Sequence, residues 1–311
     1  MLKNLQKNVL LKNYTSFKIG GQAKYFLKIN TNEKLIEAIK WAKKHKLPFF
    51  ILGGGSNLLV ADEGYEGLVI NFQFSIFNFQ KNKIIVGAGM KLEKLINASM
   101  KTGLTGLEWA AGIPGTMGGA VRGNIEAFGS SISQLVKKVQ VFDAKKEEIK
   151  IFNNKDCEFK YKNSIFKQNP NLIILSVEIK LKKCEKEKIK KRICDNLNYR
   201  AKNHPLNFPS AGCVFKNYES KIASHELVKQ FPELKEFNKK KIIPAGWLIE
   251  KCGLKGSKVG GAEISQKHAN FIINSGQAKA NDVLELIKII KKKVIGKFKI
   301  KLEEEIQYLG F

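Results

Sequence analysis

Two glycine-bearing stretches are the residues of this chain best suited to holding a ligand against bare backbone. In the first, Gly53, Gly54 and Gly55 are followed by Ser56, Asn57 and Leu58, directly behind the apolar run "FFIL". The second is "WAAGIPGTMGGAVRGN", residues 109 to 124, which contains Gly112, Thr116, Gly118 and Gly119. Glycine has no Cβ, so its N–H groups stay open and a pyrophosphate can come close. Neither stretch has the G-x-G-x-x-G spacing that opens a nicotinamide-type helix, nor the G-x-x-x-x-G-K-[ST] of a P-loop. A tight turn accounts for either stretch taken alone. Two in one chain, each with a small hydroxyl or amide residue behind it, favour a dinucleotide.

The thiols point elsewhere. Cys157, Cys184, Cys194, Cys213 and Cys252 make an odd count with no C-x-x-C pair. A disulfide framework and a metal site are both disfavoured, and free thiols behaving as small apolar residues are expected.

These residues need a scaffold, and 311 residues, 43% of them hydrophobic, supply two or three domains. No apolar run reaches the length of a membrane span. The start, "MLKNLQKNVLLKNYTSFK", lacks the apolar region of a secretory signal, so a cytoplasmic protein is expected. The formal net charge of +27 comes almost wholly from lysine, since Arg122, Arg192 and Arg200 are the only arginines. A basic nucleic-acid-binding surface without catalysis is one explanation. Solvated lysine faces are the other, and the scatter of the lysines favours it. No nucleic-acid partner is expected, and the nucleic-acid reading leaves both glycine stretches unexplained.

The elements follow from periodicity. "TNEKLIEAIKWAKKHK" has Leu35, Ile39 and Ala42 at helical spacing, with Thr31 or Asn32 as cap and Pro48 beyond its end. "FFIL", "GLVIN" and "KIIVGAGM" are strands, and "KLEKLINASMKTG" is a helix closed at Gly103. "VQVFDAKKEEIKIF" alternates and turns near Asp143, as a hairpin does. "LIILSVEIKL" is a strand and "CEKEKIKKRICDNLNYRAK" a charged helix, broken by "HPLNFPS". A domain boundary is expected near 200. Beyond it come a strand at "SAGCVFKN", a short helix at "AGWLIEKCG", a strand at "HANFIIN" and an amphipathic helix at "NDVLELIKIIKKKVIGKF". "KIKLEEEIQYLGF" is expected to be a final strand.

In order and spacing the motifs together resemble the UDP-N-acetylenolpyruvoylglucosamine reductases. The resemblance runs from "NYTSFKIGGQAKYF" through "LGGGSNLLVADEGYEGLVI", "GLEWAAGIPGTMGGAVRGNIEAFG" and "YKNSIFK". It continues through "PSAGCVFKN" and "AGWLIEKCGLKGSKVGGAEISQKHANFIIN" to "KLEEEIQYLG". It implies an α+β chain with the two-lobed, vanillyl-alcohol-oxidase-type (PCMH-type) FAD-binding fold and a C-terminal α/β substrate domain. The implied spans are 1–80 and 81–200 for the flavin lobes and 201–296 for the substrate domain. Residues 297–311 are then expected to return to the second lobe. No tyrosine-bearing substrate loop is evident, so the chain looks like the shorter type of the family.

The implied reaction is NADPH-dependent reduction of UDP-N-acetylglucosamine enolpyruvate to UDP-N-acetylmuramate, a peptidoglycan precursor. Hydride reaches C3 of the enolpyruvyl group by way of FAD, and a proton must then reach C2. Gly53 to Leu58 and Gly112 to Gly119 match the stretches that line the cofactor. Cys213 matches the proton donor, where better-known members carry serine; an unperturbed thiol has a pKa of about 8.5, far below an alcohol. Glu305 matches the acid that assists charge development at C2. Strand alternation would set Glu303 and Glu305 on one face and Glu304 on the other. Lys162 stands where the family usually has arginine, so positive charge is kept and the two-pronged contact is lost. Asn217 matches a substrate-binding position, and His268 lies near the expected diphosphate. A sugar or lactone oxidase of the same superfamily is the nearest rival. Such enzymes often anchor FAD through a histidine, and His45, His204, His225 and His268 all lie outside the glycine stretches, so non-covalent FAD is expected. A monomer is expected.

Overall fold

Thr31 begins the first long helix in the computed structural model, accepting a hydrogen bond from Lys34 N at 3.3 Å in the manner of a capping hydroxyl. The helix Asn32–Lys44 buries Leu35, Ala38, Ile39 and Ala42, the stripe its spacing predicts. The structure describes residues 2–80, 83–222 and 224–311. It divides into two compact units. One comprises residues 1–9, 23–54 and 66–202, the other 10–22, 55–65 and 203–311. The chain passes from the first unit to the second at 202/203. The boundary expected between two flavin lobes at 80/81 touches residues outside the described set, and both spans contribute mainly to the first unit.

The first unit holds two sheets of more than two strands. One has the order Gln6–Leu10, Gln22–Ile29, Tyr65–Phe72, Phe49–Leu52. Its last two strands are parallel and set Leu52 opposite Asn71. The other has the order Glu148–Asn153, Val136–Asp143, Leu172–Lys180, Lys83–Gly87, Phe77–Gln80 and is antiparallel throughout. Its hairpin turns at Asp143, whose Oδ1 accepts from Lys145 N and Lys146 N at 3.0 and 3.1 Å. That side-chain-to-backbone bonding is what makes aspartate a turn residue. Leu35, Ile39, Leu68, Ile70, Ile84, Val86, Val139 and Val141 join one buried cluster. Each such side chain contributes about 1.5–3 kcal/mol by leaving water.

In the second unit a four-stranded antiparallel sheet has the order Ser210–Cys213, Phe271–Asn274, Ala262–Ile264, Lys258–Val259. The helix Ala280–Phe298 buries Val283, Leu286, Ile287, Ile290, Val294 and Phe298, one apolar face, in that unit's core. The C-terminus departs from expectation. Only Gln307–Leu309 is a strand, and it pairs in parallel with Leu58–Val60. The chain therefore returns to the segment behind the first glycine stretch. The pairing joins Leu58, Leu59 and Val60, all buried, to a segment flanked by buried Ile306, and Ala61 N donates to Leu309 O at 2.9 Å. Residues 303–305 make only an isolated bridge, Phe215 opposite Glu304.

Candidate functional site

The first glycine stretch ends the half-buried strand Phe49–Leu52, and Asn71 fixes how it leaves. Asn71 is buried, and its Nδ2 donates to Leu52 O at 3.1 Å and Gly53 O at 3.2 Å. The two glycine stretches, sixty residues apart in sequence, touch here. A Cβ on Gly53 would lie 2.7 Å from Thr116 Oγ1, and one on Gly54 2.8 Å from Gly115 Cα. Gly55, in the second unit, has φ 61°, and a Cβ there would lie 2.1 Å from Tyr14 O.

The second stretch is pinned along its backbone. Met117 N donates to Met90 O at 2.9 Å and Gly118 N to Ala88 O at 2.8 Å. A Cβ on Gly118 would lie 2.8 Å from that of Ala88. Thr116 is buried and caps the helix Met117–Gly123, its Oγ1 accepting from Gly119 N at 3.4 Å. Gly112 has φ 78°. Gly119 differs from all of these. It is exposed, φ does not require glycine, and a Cβ would meet nothing nearer than Thr116 Oγ1 at 3.6 Å. The protein itself leaves room at Gly119, the open backbone a closely approaching dinucleotide needs. In this respect the stretch fits the cofactor.

The same helix leads toward Lys162. Asn124, its C-cap with φ 43°, donates from Nδ2 to Lys160 O at 2.8 Å, and Ser164 Oγ donates to Arg122 O at 2.7 Å. Lys160 and Asn163 exchange two backbone hydrogen bonds of 3.1 Å around a tight turn. Lys162 occupies that turn with φ 51°, and Lys167 Nζ donates to its carbonyl at 3.1 Å. A lysine at positive φ is uncommon, and three side chains hold the turn that carries it. Burial lowers the pKa of Arg122 from its ordinary value.

In the second unit the structure gathers three distant segments. Asn57 Nδ2 donates to Glu305 O at 3.1 Å, and Gln307 N donates to Asn57 O at 3.0 Å. Glu305 N donates to Val214 O at 2.7 Å, one residue beyond Cys213. Asn57, Glu305 and Val214, the residue after Cys213, thus share one hydrogen-bond network. The neighbouring acids are engaged with lysines: Glu303 pairs with Lys216 at 3.0 Å, and Glu304 with Lys291 and with Tyr308 OH at 2.6 Å. Burial and then Glu304 raise the Tyr308 pKa.

Asn270, a residue whose part sequence reasoning missed, holds the segment after Cys213. It is buried, its Oδ1 accepts from Phe215 N at 3.0 Å, its Nδ2 donates to Phe215 O at 2.8 Å, and its carbonyl accepts from Val214 N at 2.8 Å. A polar residue between two apolar ones in "HANFIIN" is the only signal the sequence offers. Asn270 N also donates to His268 Nδ1 at 3.2 Å, which places any ring proton of neutral His268 on Nε2. Burial lowers the His268 pKa, and its ring packs on Phe271 and His204 at 5.0 and 5.5 Å. Asn217 Oδ1 accepts from Ala245 N at 3.1 Å at the start of the helix Ala245–Lys251. That bond gives Asn217 a structural duty the sequence does not show. Burial pushes the Cys157 thiol up to about 12, unsuited to proton transfer near neutrality. Among the described residues no group of three or more His, Cys, Asp or Glu could hold a metal ion, and no helix is long and apolar enough to cross a membrane.

The fold and the paired glycine stretches define an FAD-binding flavoprotein: residues 23–151 match the family described as FAD binding domain. Residues 204–309 match the family described as UDP-N-acetylenolpyruvoylglucosamine reductase, C-terminal domain. The chain is 38% identical over 309 residues to the UDP-N-acetylenolpyruvoylglucosamine reductase of Clostridium novyi, covering 99% of this chain and 93% of that one. It is 40% identical to the reductase of Caldanaerobacter subterraneus, covering 98% and 94%. The crystal structure of UDP-N-acetylenolpyruvylglucosamine reductase from Thermus caldophilus superposes with a TM-score of 0.78 at 33% identity, covering 98% of this chain and 99% of that one. The chain belongs to the UDP-N-acetylenolpyruvoylglucosamine reductase family. Its cofactor is FAD with NADPH as reductant, and the expected flavin-binding fold is the one found.

Proposed function

We propose that this chain reduces UDP-N-acetylenolpyruvoylglucosamine with NADPH, using Cys213 as proton donor and Glu305 and Lys162 to manage charge. FAD, when bound, supplies hydride transfer from NADPH to C3 of the enolpyruvyl group. The new C3–H bond displaces the double-bond pair onto C2 and its carboxylate. Cys213 gives its S–H proton to C2, and the thiolate regains a proton from solvent. Lys162 offsets carboxylate charge from a turn held by Asn124, Ser164 and Lys167, so little of its backbone must be ordered during the reaction. Gly53, Gly54, Gly55, Ser56, Asn57 and Leu58, with Gly112, Thr116, Gly118 and Gly119, hold the cofactor. Asn217 and His268 contribute to the substrate site. We take the enzyme to act as a cytoplasmic monomer without a nucleic-acid partner, which sedimentation of the pure protein with and without DNA tests.

The observation that carries this reading is the network from Asn57 through Glu305 to Val214, beside Cys213. It joins a residue of the first glycine stretch to the backbone of Glu305 and to the residue that follows Cys213. The test is anaerobic spectroscopy of Cys213→Ala. Bleaching of the flavin by NADPH should persist, while recovery of colour with the enolpyruvyl substrate should slow by about 10²–10⁴-fold. Recovery at the wild-type rate would remove Cys213 from the mechanism.

A further inference from the structure

Two of the three arginines in this lysine-rich chain lie on one face of the helix Lys186–Asn203. Arg192, Asn196 and Arg200 are spaced four apart, so they line one side of it. All three bond to the segment leading into the second glycine stretch. Arg192 NH1 donates to Thr105 Oγ1 at 3.2 Å, and Asn196 Nδ2 donates to Glu108 O at 2.9 Å. Arg200 Nε donates to Ala111 O at 2.8 Å, and its NH2 donates to Trp109 O at 3.2 Å. Arg200 is buried, and its guanidinium lies 5.3 Å from the Phe128 ring centroid. Phe128 has φ 52°, a conformation uncommon for a bulky residue, and its ring meets Tyr199 edge-on at 5.2 Å. A Cβ on Gly112 would lie 2.9 Å from Arg200 Cδ, so the side chain fills the space directly under the first glycine of the stretch.

We propose that Arg200 is a positioning residue for the FAD site: it fixes the backbone that enters Gly112–Gly119 before the cofactor arrives. The inference rests on the reading of that stretch as part of the cofactor site. The geometry explains why arginine stands here. Two carbonyls two residues apart are met by two nitrogens of one rigid fork, while a ring covers its face. A lysine ammonium is a single point and cannot keep this arrangement. Arg200 does not touch the cofactor in this account; it acts through the carbonyls of Trp109 and Ala111.

The test is FAD binding by the full-length apoprotein, followed by flavin fluorescence, together with the melting temperature of the same apoprotein. Arg200→Lys should weaken FAD binding about tenfold or more, from loss of a hydrogen bond to a buried carbonyl. Arg200→Ala should weaken it further, and Lys191→Ala, exposed on the same helix, should bind as the parent does. Gly112→Ala should weaken binding less in the Arg200→Ala background than alone, because the nearest atom its Cβ meets, Arg200 Cδ, is gone while Leu197 Cδ2 remains. FAD binding within twofold of the parent in Arg200→Lys, with only the apoprotein melting temperature lowered, would show a purely structural role and overturn the inference. A parent protein that takes up no FAD overturns the cofactor assignment and the inference together.

Discussion

The two glycine stretches use glycine for different reasons. In the first, the neighbouring protein forbids a side chain. Gly54 abuts the backbone of Gly115, and Gly55 abuts the carbonyl of Tyr14 at positive φ. In the second, Gly118 is crowded by Ala88, but a Cβ on Gly119 would meet only Thr116 Oγ1, in ordinary contact at 3.6 Å, at an ordinary φ. Gly119 is thus an exposed glycine in a short helix that its neighbours do not demand. The comparison teaches that counting glycines in a motif does not separate positions closed to a side chain from positions open to one; the distance from each absent Cβ to its neighbours does.

The comparison breaks most visibly at Gly55. Gly55→Ala places a methyl against a backbone oxygen in a left-handed conformation and should destabilise the apoprotein by at least about 3 kcal/mol. Thermal unfolding without FAD checks this, and an unchanged melting temperature would show that the fold does not require this glycine. Gly119→Ala should do the opposite. The apoprotein should gain about 0.5–1 kcal/mol from the better helix former. FAD affinity should fall roughly tenfold or more, an overpacking cost of about 1–3 kcal/mol. Melting and titration on one sample read both signs, and parallel changes would erase the distinction between the stretches.

A smaller effect lies where the stretches touch. Thr116→Ala removes a cap and should cost about 1 kcal/mol. Gly53→Ala should be better tolerated in that background than alone, because the oxygen its Cβ would meet is absent. Additive losses would mean that the two stretches do not press on one another.

Neither glycine stretch titrates, but the segment beside Cys213 does, through His268. Burial, the largest cause, lowers its pKa from the ordinary 6.5, with Lys255 acting in the same direction and Glu250 opposing it. The folded state therefore favours the neutral ring. That stability is present above about pH 6.5 and is lost as pH falls through the lowered folded value. His268→Gln should flatten this part of the stability–pH curve. Denaturant unfolding across that range tests it, and an unchanged slope would place the titration elsewhere.

Local facts of this protein were determined by its sequence alone. Thr31, the apolar stripe from Leu35 to Ala42, Asp143 at its turn and the helix that buries Val283 to Phe298 each depend on neighbours a few residues away. Motif order also sufficed to place the chain in its family. The tertiary structure decided the rest. Leu58–Val60 offers an apolar edge to any strand, and only the folded chain selects Gln307–Leu309. Asn71, Asn270 and Arg200 look like ordinary polar residues until their carbonyl partners, tens of residues away, are known. Whether a glycine is demanded by its surroundings depends on what faces its missing side chain. Periodicity and capping are short-range and can be followed along the chain, whereas close approach and the satisfaction of buried polar groups exist only between segments that folding brings together.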